Sequence, residues 1–400
     1  MASSHTAEYF GDSPAACLER LERGMMRGCR PSFGMRSAWS RVAVLACLLT
    51  SACDNAAAPG PDPVDEYQLL FVNAEDGRQG QDIYRMNPDG TARANLTNLS
   101  TVQYPTFVLA VEYRSIALSP DGRTVAFESL RDGCPGIWGM NVDGSGIRKL
   151  SIGEYEATRC NHYPAWSPDG SRIAFVTSRE GKWSMYVMNA DGTNPRNVAP
   201  SLDDEAGVFF SPASWSPDGR LAFEVRRSQT KPQSYIVNSD GSNLQLLLGQ
   251  AGDHSPEWSP DRSKVAFIRD TESGSSLYVM NADGGNARRL TDHPGQDVFW
   301  WGSFPNDFHR WSADGKRIVF SNVVDGRAEL HVIDADGANH VRLTSYAAEF
   351  NGWAPDGRIT FNSNVSGSQD LYLINRDGTG RVNLTNTPAS HEIRGLWVRR

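Results

Sequence analysis

Several things are scarce in this chain, and each shortage excludes something. Cysteine is sparse, 6 in 400 residues. Cys17, Cys29 and Cys47 fall within the first 52 residues, which leaves Cys53, Cys134 and Cys160. That is too few for a disulfide-stapled scaffold, and unpaired spacing of this kind does not make a zinc cage. Long apolar runs are also missing. The run at residues 42–49 (VAVLACLL) is too short to span a bilayer as a helix. Basic charge is not in excess: 39 Lys and Arg stand against 47 Asp and Glu. Beyond residue 52 the balance is 33 against 43. An acidic protein repels phosphates, so no nucleic-acid partner is expected. No G-x-S-x-G elbow, Walker loop or H-E-x-x-H occurs.

What the chain does have is one stretch written out repeatedly. The cleanest copy covers residues 162–200: HYPAWSPDG, SRIAFVTSREG, KWSMYVMNADG, TNPRNVAP. It reads as four short strands and three turns. Trp166 closes the first strand, and Ser167-Pro168-Asp169-Gly170 is a tight turn. Pro suits the second turn position, and Gly suits the left-handed one. Ile173-Ala174-Phe175-Val176 is an apolar second strand, and Tyr186-Val187-Met188 is the third. Asn189-Ala190-Asp191-Gly192 turns the chain again, and Arg196-Asn197-Val198 is a short fourth strand. Short strands bounded by turn residues at a fixed period mean an all-β repeat.

The period decides the architecture. The tryptophan position recurs as Leu118, Trp166, Trp215, Trp258, Trp311 and Trp353, at steps of 48, 49, 43, 53 and 42 residues. The second turn recurs seven times, from Asp89-Gly90 to Asp377-Gly378, but the front half only six. The missing strand lies at the other end, in residues 391–398 (HEIRGLWV) with Trp397. The C-terminal strand should therefore complete the blade begun at Tyr67. Such closure hides open sheet edges. The expected fold is an all-β, seven-bladed β-propeller of four-stranded antiparallel blades.

This (H/S)xPxWSPDGxxIAF…LYVMNADGxxxRLT pattern resembles the WD40-like repeat of the TolB propeller family, over residues 66–400. The resemblance implies the fold more than a function, because the same repeat is hosted by enzymes and non-enzymes. A full TolB protein carries an N-terminal α/β domain before its propeller, for which the short stretch of residues 54–65 is expected to leave no room.

The first 52 residues read as a signal segment. Residues 36–41 (RSAWSR) are a basic lead, residues 42–49 the apolar core, and Thr50-Ser51-Ala52 the small residues before Cys53. The arrangement resembles a bacterial lipoprotein signal with Cys53 as the lipidated residue. Residues 1–34 hold Glu8, Asp12, Glu19 and Glu22, unusual in a signal, so the expected start is Met35, or Met25 or Met26. Residues 53–65 form the anchor and a Pro/Ala tether, disordered by composition. The expectation is an exported protein, lipid-anchored on the periplasmic or cell-surface side of a bacterial membrane, touching it through the lipid alone.

In a four-stranded meander, the SPDG and NADG turns share one face. The turn between strands two and three shares the other with the connections between blades. Cys134 and Cys160 lie on that second face around one blade, and a disulfide between them is expected. The connecting loops on this face vary in length, which is where binding surfaces are usually carried. Residues 295–309 (GQDVFWWGSFPNDFH) concentrate Phe299, Trp300, Trp301, Phe304 and Phe308. Exposed, they would make a protein or sugar contact. Folded over the channel mouth, they would bury one another.

Four residues before each tryptophan position stand Arg114, His162, Ser211, His254, Asp307 and Glu349, with His391 nearby. These would ring the channel mouth. The plain reading is a hydrated polar channel, and the sharper one is metal or acid–base chemistry. The Asp-Gly turns need only turn chemistry, not calcium. One turn breaks the rule: Ser259-Pro260-Asp261-Arg262 has Arg where its siblings have Gly. Two functional classes stand. One is a monomeric, cofactor-free envelope scaffold, binding a protein or a peptidoglycan-associated partner through the variable face. The other resembles the oligogalacturonate lyases, propellers holding a divalent metal through channel His and Gln, with His162 and His254 as ligands. Arg114 is then the one basic residue of the ring available for a uronate carboxylate.

Overall fold

Local turn chemistry sets the strands. In the computed structural model, Ser167 Oγ donates to Asp169 Oδ1 at 2.6 Å and accepts the Arg172 N–H at 2.9 Å. The Ser171 N–H also donates to Asp169 Oδ1. The Ser167 hydroxyl, then the Ser171 amide, hold the Asp169 carboxyl down at about 2. The same serine–aspartate cap recurs at Ser119, Ser216, Ser259 and Ser312. Ala354 replaces the serine in the last copy. In the second turn, Asp191 Oδ1 accepts both the N–H and the hydroxyl of Thr193. Each turn thus satisfies much of its polar backbone locally, and the Ala190 N–H of the second turn donates to the Ser171 carbonyl of the first.

The structure describes residues 64–75, 81–98, 115–129, 131, 135–151, 160–202, 209–227, 231–250, 252–271, 274–291, 309–388 and 390–400. These residues build seven antiparallel sheets. Blade III is typical, with strands Asn161–Trp166, Arg172–Thr177, Ser184–Asn189 and Arg196–Asn197 from inner to outer. In blade IV the inner strand is split into Phe209–Phe210 and Ser214–Trp215, both paired with Arg220–Arg226. Blade I is completed from the far end of the sequence, as expected. Strand Ser390–Arg399 pairs antiparallel with Tyr67–Glu75. Arg399 Nη2 donates to Glu66 Oε2, and the Arg400 N–H donates to the Glu66 carbonyl. The fold is a seven-bladed β-propeller.

The core is a ring of interfaces. Every second strand carries a buried phenylalanine: Phe71, Phe127, Phe175, Phe223, Phe267, Phe320 and Phe361. Each lies opposite an aromatic or histidine ring of the third strand, as Phe175 does Tyr186 and Phe320 does His331. Apolar clusters fill the junctions between successive blades. Between VII and I, for example, Leu371, Leu373 and Leu384 pack with Leu69, Phe71 and Met86.

The repeat tryptophan ties neighbours together. Trp166 Nε1 donates to the Ala117 carbonyl of the preceding inner strand, and Trp215 to Ala165. Trp311 donates to Glu257 and Trp353 to Arg310. At the closure Trp397 reaches Thr360 Oγ1. Leu118 has no side-chain N–H to offer, and the buried Nε1 of Trp258 has no hydrogen-bond partner. Each such bond stabilises by about 1 kcal/mol net.

Candidate functional site

The inner strands run around the axis, and the sequence-predicted ring lies at their loop-face ends. The structure brings some of these residues together and keeps others apart. His162 and His254 are the second residues of the inner strands of blades III and V, Asn161–Trp166 and Asp253–Trp258, only 8% and 4% exposed. Each sits beside a carboxylate of the preceding blade. His162 Nδ1 lies 3.2 Å from Glu128 Oε2. His254 Nδ1 lies 3.8 Å from Glu224 Oε2, and its Nε2 lies 3.2 Å from Asp270 Oδ1. The ring of His254 also meets Ser255 Oγ.

Backbone geometry explains why a carboxylate is there. The residue after each histidine, Tyr163 or Ser255, sits at positive φ, +57° and +54°. Both mark a register shift of the inner strand against the second strand. A bulge frees an N–H from the ladder. Glu128 Oε1 accepts that of Tyr163 at 2.6 Å, and Glu224 Oε2 that of Ser255 at 3.3 Å. Glu224 also pairs with Arg226, and its own N–H donates to Ser211 Oγ. Ser211 is thereby held inside blade IV, where its hydroxyl donates to the Pro212 carbonyl.

The rest of the predicted set is dispersed. Glu349 is exposed and accepts from Asn362 Nδ2. His391 is exposed on the closing strand. Arg114, Asp307, Phe299, Trp300, Trp301, Phe304, Phe308, Cys53 and Cys134 lie outside the described residues, as do the signal and most of the tether. Cys160 is half-buried, its N–H donating to Ser178 Oγ. Among the described residues, no three His, Cys, Asp or Glu side chains are grouped so that they could hold a metal ion. No helix among them is long and apolar enough to cross a membrane.

Sequence reasoning missed the acidic partners. Glu128 and Glu224 follow the second-strand phenylalanine, where sibling blades place Val72, Val176, Ile268, Ser321 or Asn362. That departure from an apolar or neutral position was the available signal. A second missed pair lies on the inner strands of the next two blades, where Glu257 Oε1 accepts from Arg310 Nη1 at 3.3 Å. Burial raises the Glu257 carboxyl to about 7, against the pull of Arg310.

Comparison with known proteins places the architecture. A puromycin hydrolase matches with a TM-score of 0.61 at 14% identity, over 83% of this chain and 54% of that one. In fold, the protein is a seven-bladed β-propeller, the architecture that the TolB-type repeat implies. The puromycin-hydrolyzing peptidase of Mycobacterium tuberculosis gives 0.59 at 15% identity, over 82% of this chain and 55% of that one. TolB from Acinetobacter baumannii gives 0.49 at 16% identity, covering 77% of this protein and 70% of that one. The propeller protein thus spans about half the length of the two hydrolases. No family model matches the sequence. No curated protein matches it either. At these identities the likeness is one of fold alone.

Proposed function

We propose that this propeller is a non-enzymatic interaction scaffold of the cell envelope. It is exported, held to a membrane through a lipid on Cys53, and monomeric. It binds a protein or peptidoglycan-associated partner through the loop face. One observation carries this reading: the two histidines best placed for channel chemistry serve the blade junctions. His162 and His254 are buried, and each is paired with carboxylates of its own junction. The neighbouring bulges put Glu128 and Glu224 to the same structural use. The SPDG and NADG turns of the opposite face spend their polar groups on themselves. That leaves the variable connections to do the binding. The hydrolase neighbours share the propeller, and no G-x-S-x-G elbow occurs in this sequence.

The test uses the full-length protein in a bacterial envelope. Labelling with a fatty-acid analogue should mark the wild type and miss Cys53→Ala. Crosslinking should capture a partner that is lost when residues 292–308 are replaced by a short Gly/Ser linker. Metal-dependent cleavage of oligogalacturonate, abolished by His162→Ala and His254→Ala, would overturn the scaffold reading in favour of the lyase.

A further inference from the structure

The residue preceding each repeat tryptophan lies on an inner strand, beside the axis. In five blades it is uncharged: Ala117, Ala165, Ser214, Gly352 or Leu396. Blades V and VI instead place Glu257 and Arg310 side by side. Blade packing does not call for this pair, since five blades manage without it. Nor is the pair complete. Glu257 Oε2 is closed off from solvent and has no hydrogen-bond partner. Arg310 keeps 43% of its side chain open and uses one guanidinium nitrogen on Glu257. A guanidinium has five N–H donors in a planar fork that matches a carboxylate.

We propose that Glu257 and Arg310 form an axial binding site for a single carboxylate group. The ligand carboxylate takes the open fork of Arg310. Glu257, once protonated, turns from a competitor for that fork into a hydrogen-bond donor to the ligand. A monoanion balances the one cation present, whereas a phosphate dianion would leave one charge uncompensated beside the solvent-excluded Oε2 of Glu257. Glu257 is poised for the exchange. Desolvation lifts it to about 7, opposed by Arg310 and then by the Trp311 backbone N–H. Among the described residues, Arg310 is the charged group that bears on it. The source is either a free small carboxylic acid or the terminal carboxylate of a peptide entering along the axis. This inference does not rest on the scaffold reading.

The experiment is a melting titration of the full-length protein with sodium acetate against sodium chloride at equal ionic strength. It is run at pH 6 and pH 8, where acetate is ionised throughout. Acetate should raise the melting temperature above the chloride control. Its half-saturating concentration should rise about tenfold from pH 6 to pH 8, as proton linkage through a group near 7 requires. Arg310→Gln should abolish the acetate-specific shift, and Glu257→Gln should make it independent of pH. Triglycine binding where triglycine amide does not would identify a peptide's terminal carboxylate as an acceptable source. Acetate binding alone would point to a free acid. The proposal is overturned if acetate acts no differently from chloride, if Arg310→Gln keeps the shift, or if the pH dependence survives in Glu257→Gln. The last arm decides the matter even if Arg310→Gln does not fold.

Discussion

Arg262→Gly should stabilise the protein by relieving a strained turn. Arg262 occupies the last position of the SPDG-type turn at φ +71°, its N–H donating to the Ser259 carbonyl. The five siblings are Gly122, Gly170, Gly219, Gly315 and Gly357, with φ from +66° to +81°. The backbone is the same in all six, so Arg262 carries a left-handed conformation that costs an L residue about 1–2 kcal/mol. Packing is not at stake. A Cβ built at Gly122, Gly219 or Gly357 meets nothing within 4 Å, and at Gly170 or Gly315 it meets one proline Cδ at 3.7 Å. The Arg262 side chain is exposed. Glycine gives back about 0.4–1 kcal/mol through its greater freedom when unfolded. The net gain is therefore up to about 1.5 kcal/mol. Unfolding entropy is about 2.1 cal/mol/K per residue, or roughly 0.7 kcal/mol/K for a propeller of about 335 residues. The melting temperature should rise by up to about 2 °C, a difference that calorimetry resolves in paired scans. Arg262→Asn should fall between the two, because Asn tolerates this conformation. Arg262→Lys should change nothing. A fall in Arg262→Gly with Arg262→Lys unchanged would refute the strain argument.

Two of the second-turn glycines, Gly90 and Gly192, answer to a different constraint. A Cβ at Gly192 would stand 2.2 Å from the Leu150 carbonyl of the preceding blade. Gly192→Ala should cost about 2 kcal/mol or more, by overpacking added to strain, against about 1 kcal/mol for Gly357→Ala; urea unfolding of the two variants gives the comparison. Trp215→Phe should lose about 1 kcal/mol through its bond to Ala165, whereas Trp258→Phe should lose little, since its Nε1 is already unsatisfied. Removing residues 390–400 should leave the Tyr67–Glu75 edge unpaired, and light scattering should show aggregation in place of a monomer. The Glu257 carboxyl is raised from 4.5 to about 7, so it favours the folded protein below pH 4.5 and loses that contribution as pH climbs to 7. Glu257→Gln should flatten the decline in stability over that window, read from denaturant midpoints between pH 4 and pH 8.

Much of the fold was legible in the sequence because its information is local. A serine–aspartate cap closes within five residues, as Ser167, Asp169 and Arg172 show. The blade count then follows from counting such turns, and closure follows from the strand carrying Trp397. The positive φ of Arg262 was readable for the same reason. The candidate site was not. His162 and Glu128 are 34 residues apart, and Glu257 and Arg310 are 53 apart. Nothing in either neighbourhood names the other, because the pairing depends on how one blade seats against the next. The sequence by itself determined the strands, the turns and the closed ring of seven. Only the tertiary structure decided that two predicted channel histidines are buried at blade junctions. It also decided that blades V and VI set a charged pair beside the axis. A side chain's exposure and partners are set by the interface between blades, and that interface exists only once the ring has closed.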